Sequence, residues 1–357
     1  MSTITIQSVD MLCNVIKDSN TLHIIGNGSK TGLAQSDVQN IQLAGLTGIT
    51  EYQPEEYTIT VQAGTPITTV QDVLAEHGQY LPFDPLLADK ATIGGTVAAN
   101  LSGSRRFRYG GVRDFILGAQ VVDGQGRAFR VGGKVVKNSA GFDLTKFLVG
   151  SMGLYAIMTD VTFKVFPDVS DFTTLAFTYA SLDDALNAIY FLNQNVFELD
   201  ALDIIPSQDT WTLLARMTGL AETLTERVER LADTLKENTQ LRTYEEKRAD
   251  HTTWTAHNSL SWSAYQTVVK VVLSPKYIPD FDRMLDLEHM MRRYSVGGNI
   301  AWITTERVDA LGQILEQQGM TGLCVLGDGS HPIIGKPIDN PLSDRVKTIF
   351  DPENKFV

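Results

Sequence analysis

The chain has 357 residues, 43% of them hydrophobic, a formal net charge of −12 and two cysteines. That length can bury a sizeable core and predicts two domains, while the acidic balance argues against a nucleic-acid partner because no basic face easily dominates it. Cys13 and Cys324 stand alone, which suggests a reducing compartment and excludes a self-contained iron–sulfur cluster, since that needs about four thiolates. Apolar runs fall far short of the roughly 18 to 20 residues of a spanning helix, and no basic region followed by an apolar core opens the chain, so a cytoplasmic protein without a transmembrane segment is expected.

Ser8 predicts the N-cap of a helix whose apolar stripe is Met11, Leu12, Val15 and Ile16, and Leu22 to Ile25 predict a short strand entering a glycine loop. Tyr57, Ile59, Val61 and Ala63 alternate with Thr58, Thr60 and Gln62, the pattern of a half-buried strand. Thr65 is expected to cap a helix with Pro66 at its first position, Ile67, Val70, Val73 and Leu74 inside, and Gly78 as its stop. Ile116 to Val122, an Asp123-Gly124 turn and Ala128 to Val131 predict a hairpin, and Thr159 to Phe166 a strand closed by Pro167.

Beyond residue 170 the pattern changes. Strands are predicted over Phe172 to Thr178, Leu199 to Ile205, Trp211 to Met217, Tyr265 to Leu273 and Asn299 to Thr304, with a short one around Leu323. Helices are predicted over Ser181 to Gln194, Ala221 to Glu237, Pro279 to Tyr294 and Glu306 to Gln318. This reads as an antiparallel sheet with helices on one face, an α+β arrangement, with no repeat of fixed period. The expected organisation is a first domain over 1–168, a second over 169–335 and a terminal segment over 336–357.

The chemistry concentrates in Ala91 to Asp114, where small residues and unhindered amides lie beside positive charge. Glycines 94, 95, 103, 110 and 111 allow close backbone approach, and Ser102, Ser104, Arg105, Arg106 and Arg113 can bond phosphate or ring oxygens of a large anionic ligand. The alternative is a glycine-rich surface loop with solvated arginines, since these glycines show no adjoining helix N-terminus. The loop Gly26-Asn-Gly-Ser-Lys-Thr-Gly32 offers a nest of N–H groups, the Ser29 and Thr31 hydroxyls and the Lys30 charge; the alternative is an ordinary strand-to-turn connection. Neither the phosphate-loop spacing nor a dinucleotide-binding fingerprint is complete, so nucleotide hydrolysis is disfavoured.

Taken in order, His23 to Gly32, Ile59 to Pro66, Glu76 to Pro85, Ala91 to Asp114 and Gly132 to Ile157 resemble the flavin-binding domain of the vanillyl-alcohol oxidase family, and within it the E subunits of bacterial glycolate oxidase (glycolate dehydrogenase). The resemblance covers about residues 20 to 167, then short patches at Val296 to Trp302 and Val346 to Pro352. It implies an α+β fold in which a two-part FAD-binding domain carries an antiparallel α+β cap, and a last segment, 336–357, returns to the FAD domain. It implies FAD as cofactor. Gly26, Asn27, Gly28, Ser29, Lys30 and Thr31 would face its pyrophosphate, with Pro85 nearby. Thr92, Ile93, Gly94, Gly95, Ala99, Ser102 and Gly103 would lie along the flavin and its ribityl-phosphate arm. Arg105, Tyr109 and Arg113 would sit close by, Asn138 in the segment that abuts the ring system, and Gly153 and Ile157 in the stretch whose backbone approaches the cofactor. For Asn138 a structural role in a turn, with Asp143, is an equal alternative.

The implied reaction is oxidation of glycolate, a small 2-hydroxy acid, to glyoxylate by a complex in which this chain joins a D-like flavin subunit and an F-like iron–sulfur subunit, with peripheral attachment to the inner membrane face through that complex as an option. Two other readings stay open: a non-catalytic structural subunit, and a stand-alone FAD-dependent 2-hydroxy acid dehydrogenase. Ala156 stands where the pattern has glycine, and a methyl there narrows the approach to the cofactor. No histidine is placed to tether a flavin, so attachment should be non-covalent. No metal site is expected. His251 and His257 are read as an exposed or packing pair and His331 as a turn residue, while Trp211, Trp254, Trp262 and Trp302 are read as core and interface residues. No catalytic base is assigned.

Overall fold

The computed structural model describes residues 3–35, 38–133, 143–168, 171–338 and 341–357. At the N-terminal end a parallel sheet runs in the order Thr3–Thr5, Gln39–Gln42, Leu22–Ile25. Helix Val9–Asp18 packs on it through Leu12 and Ile16, and the Ser8 hydroxyl accepts the Met11 N–H at 3.1 Å, as the cap pattern requires. The tail returns here, for Phe356 bridges Leu22 in parallel and Asp351, buried, accepts the N–H groups of Lys355 and Phe356.

A five-stranded antiparallel sheet stands beside it in the order Ile49–Gln53, Thr58–Gln62, Ala156–Lys164, Ile116–Asp123, Ala128–Gly132. Ile59, Val61, Val121, Val161 and Phe163 fill its inner face against helices Ile67–Ala75 and Ile93–Ala99. Each fully buried side chain of this size contributes roughly 1.5 to 3 kcal/mol, which makes this face the rigid base of the domain. Two local expectations need correction. Pro66, not Thr65, is the residue before helix Ile67–Ala75, because the Thr65 hydroxyl is taken by the Gly48 N–H at 2.9 Å. The Gly94-Gly95 run does open a helix, capped by Thr92.

Gln79–Tyr80 and Phe166–Pro167 form a short antiparallel pair, and the other described strands form one nine-stranded antiparallel sheet. Eight of its strands are one βαββαβ unit used twice, and Ile333–Gly335 adds an edge strand beside Thr321–Leu326. The first copy is Phe172–Tyr179, helix Leu182–Gln194, Ala201–Ser207, Thr210–Thr218, helix Ala221–Asn238, Leu241–Arg248; the second is Thr267–Val272, helix Ile278–Leu287, Met291–Ser295, Ile300–Thr305, helix Val308–Gln317, Thr321–Leu326. In both copies the spatial order is fourth, first, third, second, and the copies join through Ile204 opposite Tyr294. The copies share topology rather than a visible residue pattern, so the duplication is a feature of the structure that the sequence does not display.

The expected helix to Tyr294 also ends early. It stops at Leu287, His289 turns the chain at φ +54°, and Met291–Ser295 pairs with Ile300–Thr305. Arg292 clasps Asp282 at 2.8 Å and the Tyr294 hydroxyl donates to the same carboxylate at 2.7 Å, which folds the strand back over its helix. Leu241–Arg248, a charged edge strand, and His251–Asn258, capped by the Asp250 carboxylate, were not foreseen.

The sheet is tied to the first domain by buried polar contacts. Asp203 accepts from the Ser104 hydroxyl at 2.6 Å, from the Arg293 guanidinium and from the Val296 N–H at 3.2 Å. Burial alone would push its carboxyl up, but Arg293, His257 and Ser104 hold it below the usual carboxylate range. Its stabilisation is therefore complete above the unfolded-state value of about 3.9 and is lost only as pH falls through the depressed folded value. Asp203→Asn should lower stability by on the order of 3 kcal/mol at neutral pH, because Arg293 is left buried without its counter-charge. An unchanged urea midpoint would contradict this account.

Candidate flavin-binding site

Strand Leu22–Ile25 delivers the glycine loop against the start of helix Ile93–Ala99. A Cβ on Gly26 would collide with the Thr92 hydroxyl, which in turn accepts the Gly95 N–H at 3.3 Å. Gly28 adopts φ +64° and a Cβ there would meet nothing within 4 Å, so the loop turns with an open face. Lys30 points inward: its Nζ reaches the Ser29 hydroxyl at 3.3 Å and lies 3.7 Å from where a Gly95 Cβ would be. Burial pushes its pKa down to about 8, and among the described residues no carboxylate pulls it back. A half-buried cation whose partner is one neutral hydroxyl, beside open glycine backbone, fits an anionic group such as a pyrophosphate. Asn27 is spent on the Lys90 carbonyl at 3.1 Å, and Thr31 accepts the Gly327 N–H at 3.1 Å, which leans the end of the loop on the cap.

From the loop a cleft runs between Gly94, Gly95 and Ala98 on one wall and Gly153, Ala156 and Ile157 on the other. Its volume is about 40 Å³, room for little more than one water. Gly94 is required by close packing rather than by a ligand, since its Cβ would press on Ala63 at 2.8 Å. Past the end of the helix, at Ala99 and Asn100, the cleft gives way to a cavity of about 680 Å³ walled by Gly150 and Met152 and, from the cap, by Lys270, Leu273, Tyr277 and Leu323. Met152 belongs to both. The phosphate end therefore fits FAD as it stands, the cavity has room for a ring system, and the neck between them is narrow.

The other expected residues are placed elsewhere. Ile93 and Pro85 are buried in the core, the Ser102 hydroxyl accepts the Val112 N–H at 3.3 Å, and the Gly103 N–H donates to the Asp84 carbonyl at 2.6 Å. The Arg105 guanidinium lies 4.3 Å over the Tyr80 ring and 3.8 Å from Asp200, which also receives Arg108 at 3.3 Å and the Tyr109 hydroxyl at 3.4 Å. These side chains serve the junction with the cap. Arg113 is exposed, and Asn138 falls outside the described residues. The signal for Lys270, overlooked in the sequence, was a lone charge inside the run Val268-Val-Lys-Val-Val272.

Residues 3–132 match a family described as FAD binding domain. This match shows an FAD-binding domain, with FAD as its cofactor. Among particular proteins, the chain is 39% identical over 161 residues to glycolate oxidase subunit GlcE of Escherichia coli, covering 44% of this chain and 46% of that one. It is 35% identical over 162 residues to glycolate oxidase subunit GlcD of Bacillus subtilis (45% and 33% covered) and 39% identical over 127 residues to D-lactate dehydrogenase of Archaeoglobus fulgidus (36% and 28%). The alignments thus span less than half the length of these relatives. Alkyldihydroxyacetonephosphate synthase shares the fold, with a TM-score of 0.71 at 13% identity over 99% of this chain and 76% of its own.

An anion bound at Lys30 favours the charged amine, so FAD affinity should be level below pH about 8 and fall as pH rises above it. Lys30→Gln should weaken FAD by about 1.5 to 3 kcal/mol and flatten that pH dependence. Fluorescence titration across neutral and alkaline pH measures both. Gly28→Val, forced to φ +64° with its methyls on the open face, should not load FAD at all.

Proposed function

We propose that this chain is the FAD-binding subunit of a glycolate dehydrogenase-like complex that oxidises a small 2-hydroxy acid, glycolate, to glyoxylate. The observation that carries the reading is the 39% identity to subunit GlcE over 161 residues. Bound FAD supplies the hydride acceptor. The chain's own residues hold it non-covalently: Ser29, Lys30 and the loop amides take the pyrophosphate, while Ala98 and Met152 keep water from the neck. Among the described residues lining the wide cavity, Lys270 and Tyr277 are the titratable side chains, and burial pushes the Lys270 pKa down to about 8. A D-like flavin subunit and an F-like iron–sulfur subunit are the partners that would complete turnover and carry electrons away. Among the described residues no helix is long and apolar enough to cross a membrane, and attachment at the inner membrane face would run through those partners.

A second reading, a structural subunit without flavin turnover, is favoured by the 40 Å³ neck with the Ala156 methyl buried in it. One experiment separates them. The purified chain is titrated with FAD, then mixed anaerobically with glycolate alone and with the partner subunits. We expect FAD to bind and to be released by acid, no reduction by the chain alone, and reduction in the complex. Failure to bind FAD would establish the structural reading; rapid bleaching of the isolated chain would favour a stand-alone dehydrogenase.

A further inference from the structure

The glycine loop ends in a tight turn. The Lys30 carbonyl accepts the Leu33 N–H at 3.0 Å and the Thr31 carbonyl accepts the Ala34 N–H at 3.1 Å, so the backbone of 30–34 moves as one piece. Within it Gly32 is buried, and what it packs against is the cap. A Cβ at Gly32 would run into the Cys324 carbonyl oxygen and stand 3.1 Å from the Leu326 carbonyl carbon. At the same contact a Cβ at Gly327 would lie 3.7 Å from the Gly32 Cα, and one at Gly329, where φ is +80°, would lie 2.5 Å from the Ala34 carbonyl oxygen. The Thr31 hydroxyl accepts the Gly327 N–H at 3.1 Å. Turn and cap therefore meet backbone to backbone, an approach that side chains at these positions would prevent.

The cap side of the contact is itself braced. Cys324 pairs with Val269 in the sheet, its N–H donates to the Pro332 carbonyl at 2.9 Å, and the Asp328 carboxylate accepts the Ser330 N–H at 2.9 Å, which closes a hairpin over 324–332. Through a hydrogen-bonded turn pressed on a braced hairpin, the position of Lys30 is set from the other domain. Lys30 depends on such a setting. Among the described residues it has no carboxylate to hold it beside the loop amides, and its ammonium rests on the Ser29 hydroxyl alone.

We propose that the cap hairpin 324–332 is a positioning element of the FAD site, holding the pyrophosphate loop in its binding shape through Thr31 and Gly32. This rests on the reading of Ser29, Lys30 and the loop amides as the seat of the pyrophosphate. Linkage makes the effect mutual: whatever factor the closed contact adds to FAD affinity, bound FAD adds to the closure of the contact.

The experiment pairs FAD titration, read by flavin fluorescence, with amide hydrogen exchange of the whole chain. Gly329→Ala puts a methyl on the Ala34 carbonyl and adds nothing at Ser29 or Lys30; it should weaken FAD about tenfold. Thr31→Val should do the same, and Thr31→Ser should keep wild-type affinity. In the wild-type chain, saturating FAD should slow exchange at the Gly327 N–H about tenfold or more and leave the edge strand Leu241–Arg248 unchanged. Wild-type affinity in Gly329→Ala, even with Thr31→Val weakened, would mean that the Thr31 hydroxyl meets the phosphate itself and would overturn the inference. A Gly327 N–H whose exchange FAD does not slow would overturn it too, and that measurement decides alone should Gly329→Ala fail to fold. Lys30→Gln separates the inference from the reading beneath it. If Lys30→Gln weakens FAD and Gly329→Ala does not, only the role of the cap fails; if Lys30→Gln binds FAD as wild type does, the seat lies elsewhere and both fail.

Discussion

Two buried carboxylates, Asp200 and Asp203, determine how the molecule is assembled. Both lie at or beside one cap strand, and both reach into the segment Ser104 to Tyr109 of the first domain, which binds them through Ser104, Arg105, Arg108 and Tyr109. Asp200 depends on Arg105 and Arg108 for its counter-charge, whereas Asp203 has Arg293 from the cap and takes the Ser104 hydroxyl in addition. The cavity between the end of helix Ile93–Ala99 and the cap exists because this junction fixes the distance between its two walls.

That junction also explains an ambiguity of the arginine-rich segment. Arginine beside serine and glycine is the composition of a phosphate site, and a guanidinium answers a buried carboxylate with the same geometry. Arg105 finds Asp200, 95 positions along the chain, together with the faces of Tyr80 and Tyr109. Nothing local distinguishes the two outcomes; the partner's position depends on how the cap folds.

The legible parts were those whose determinants are contiguous. The glycine loop, its strand, the Ser8 cap and the hairpin around Asp123-Gly124 each depend on a few neighbouring residues. The family likeness was legible for the same reason, since a cofactor is gripped by short loops. What escaped depends on distant pairing. Met290, Met291 and Tyr294 continue a helical spacing, and only the strand Ile300–Thr305 and the Asp282 carboxylate turn them into a strand. Leu241–Arg248 looks like solvated charge because it is an edge strand with exposed side chains. Lys270 looked like part of an ordinary strand until the Asn100 carbonyl appeared across from it.

The doubling of the βαββαβ unit leaves a seam in the cap where the strands holding Ile204 and Tyr294 meet through a single paired position. Asp203 is on one side of that seam and Arg293 on the other, so their ion pair fastens the two copies as well as the cap to the first domain. The first copy carries the acids that grip the flavin domain, and the second carries Lys270. A small rotation of one copy against the other would thus act as a hinge with the fastener at its pivot, altering the gap between Lys270 and Asn100 while the grip on the first domain is kept. The width of the cavity is in that sense an angular property of the duplicated sheet.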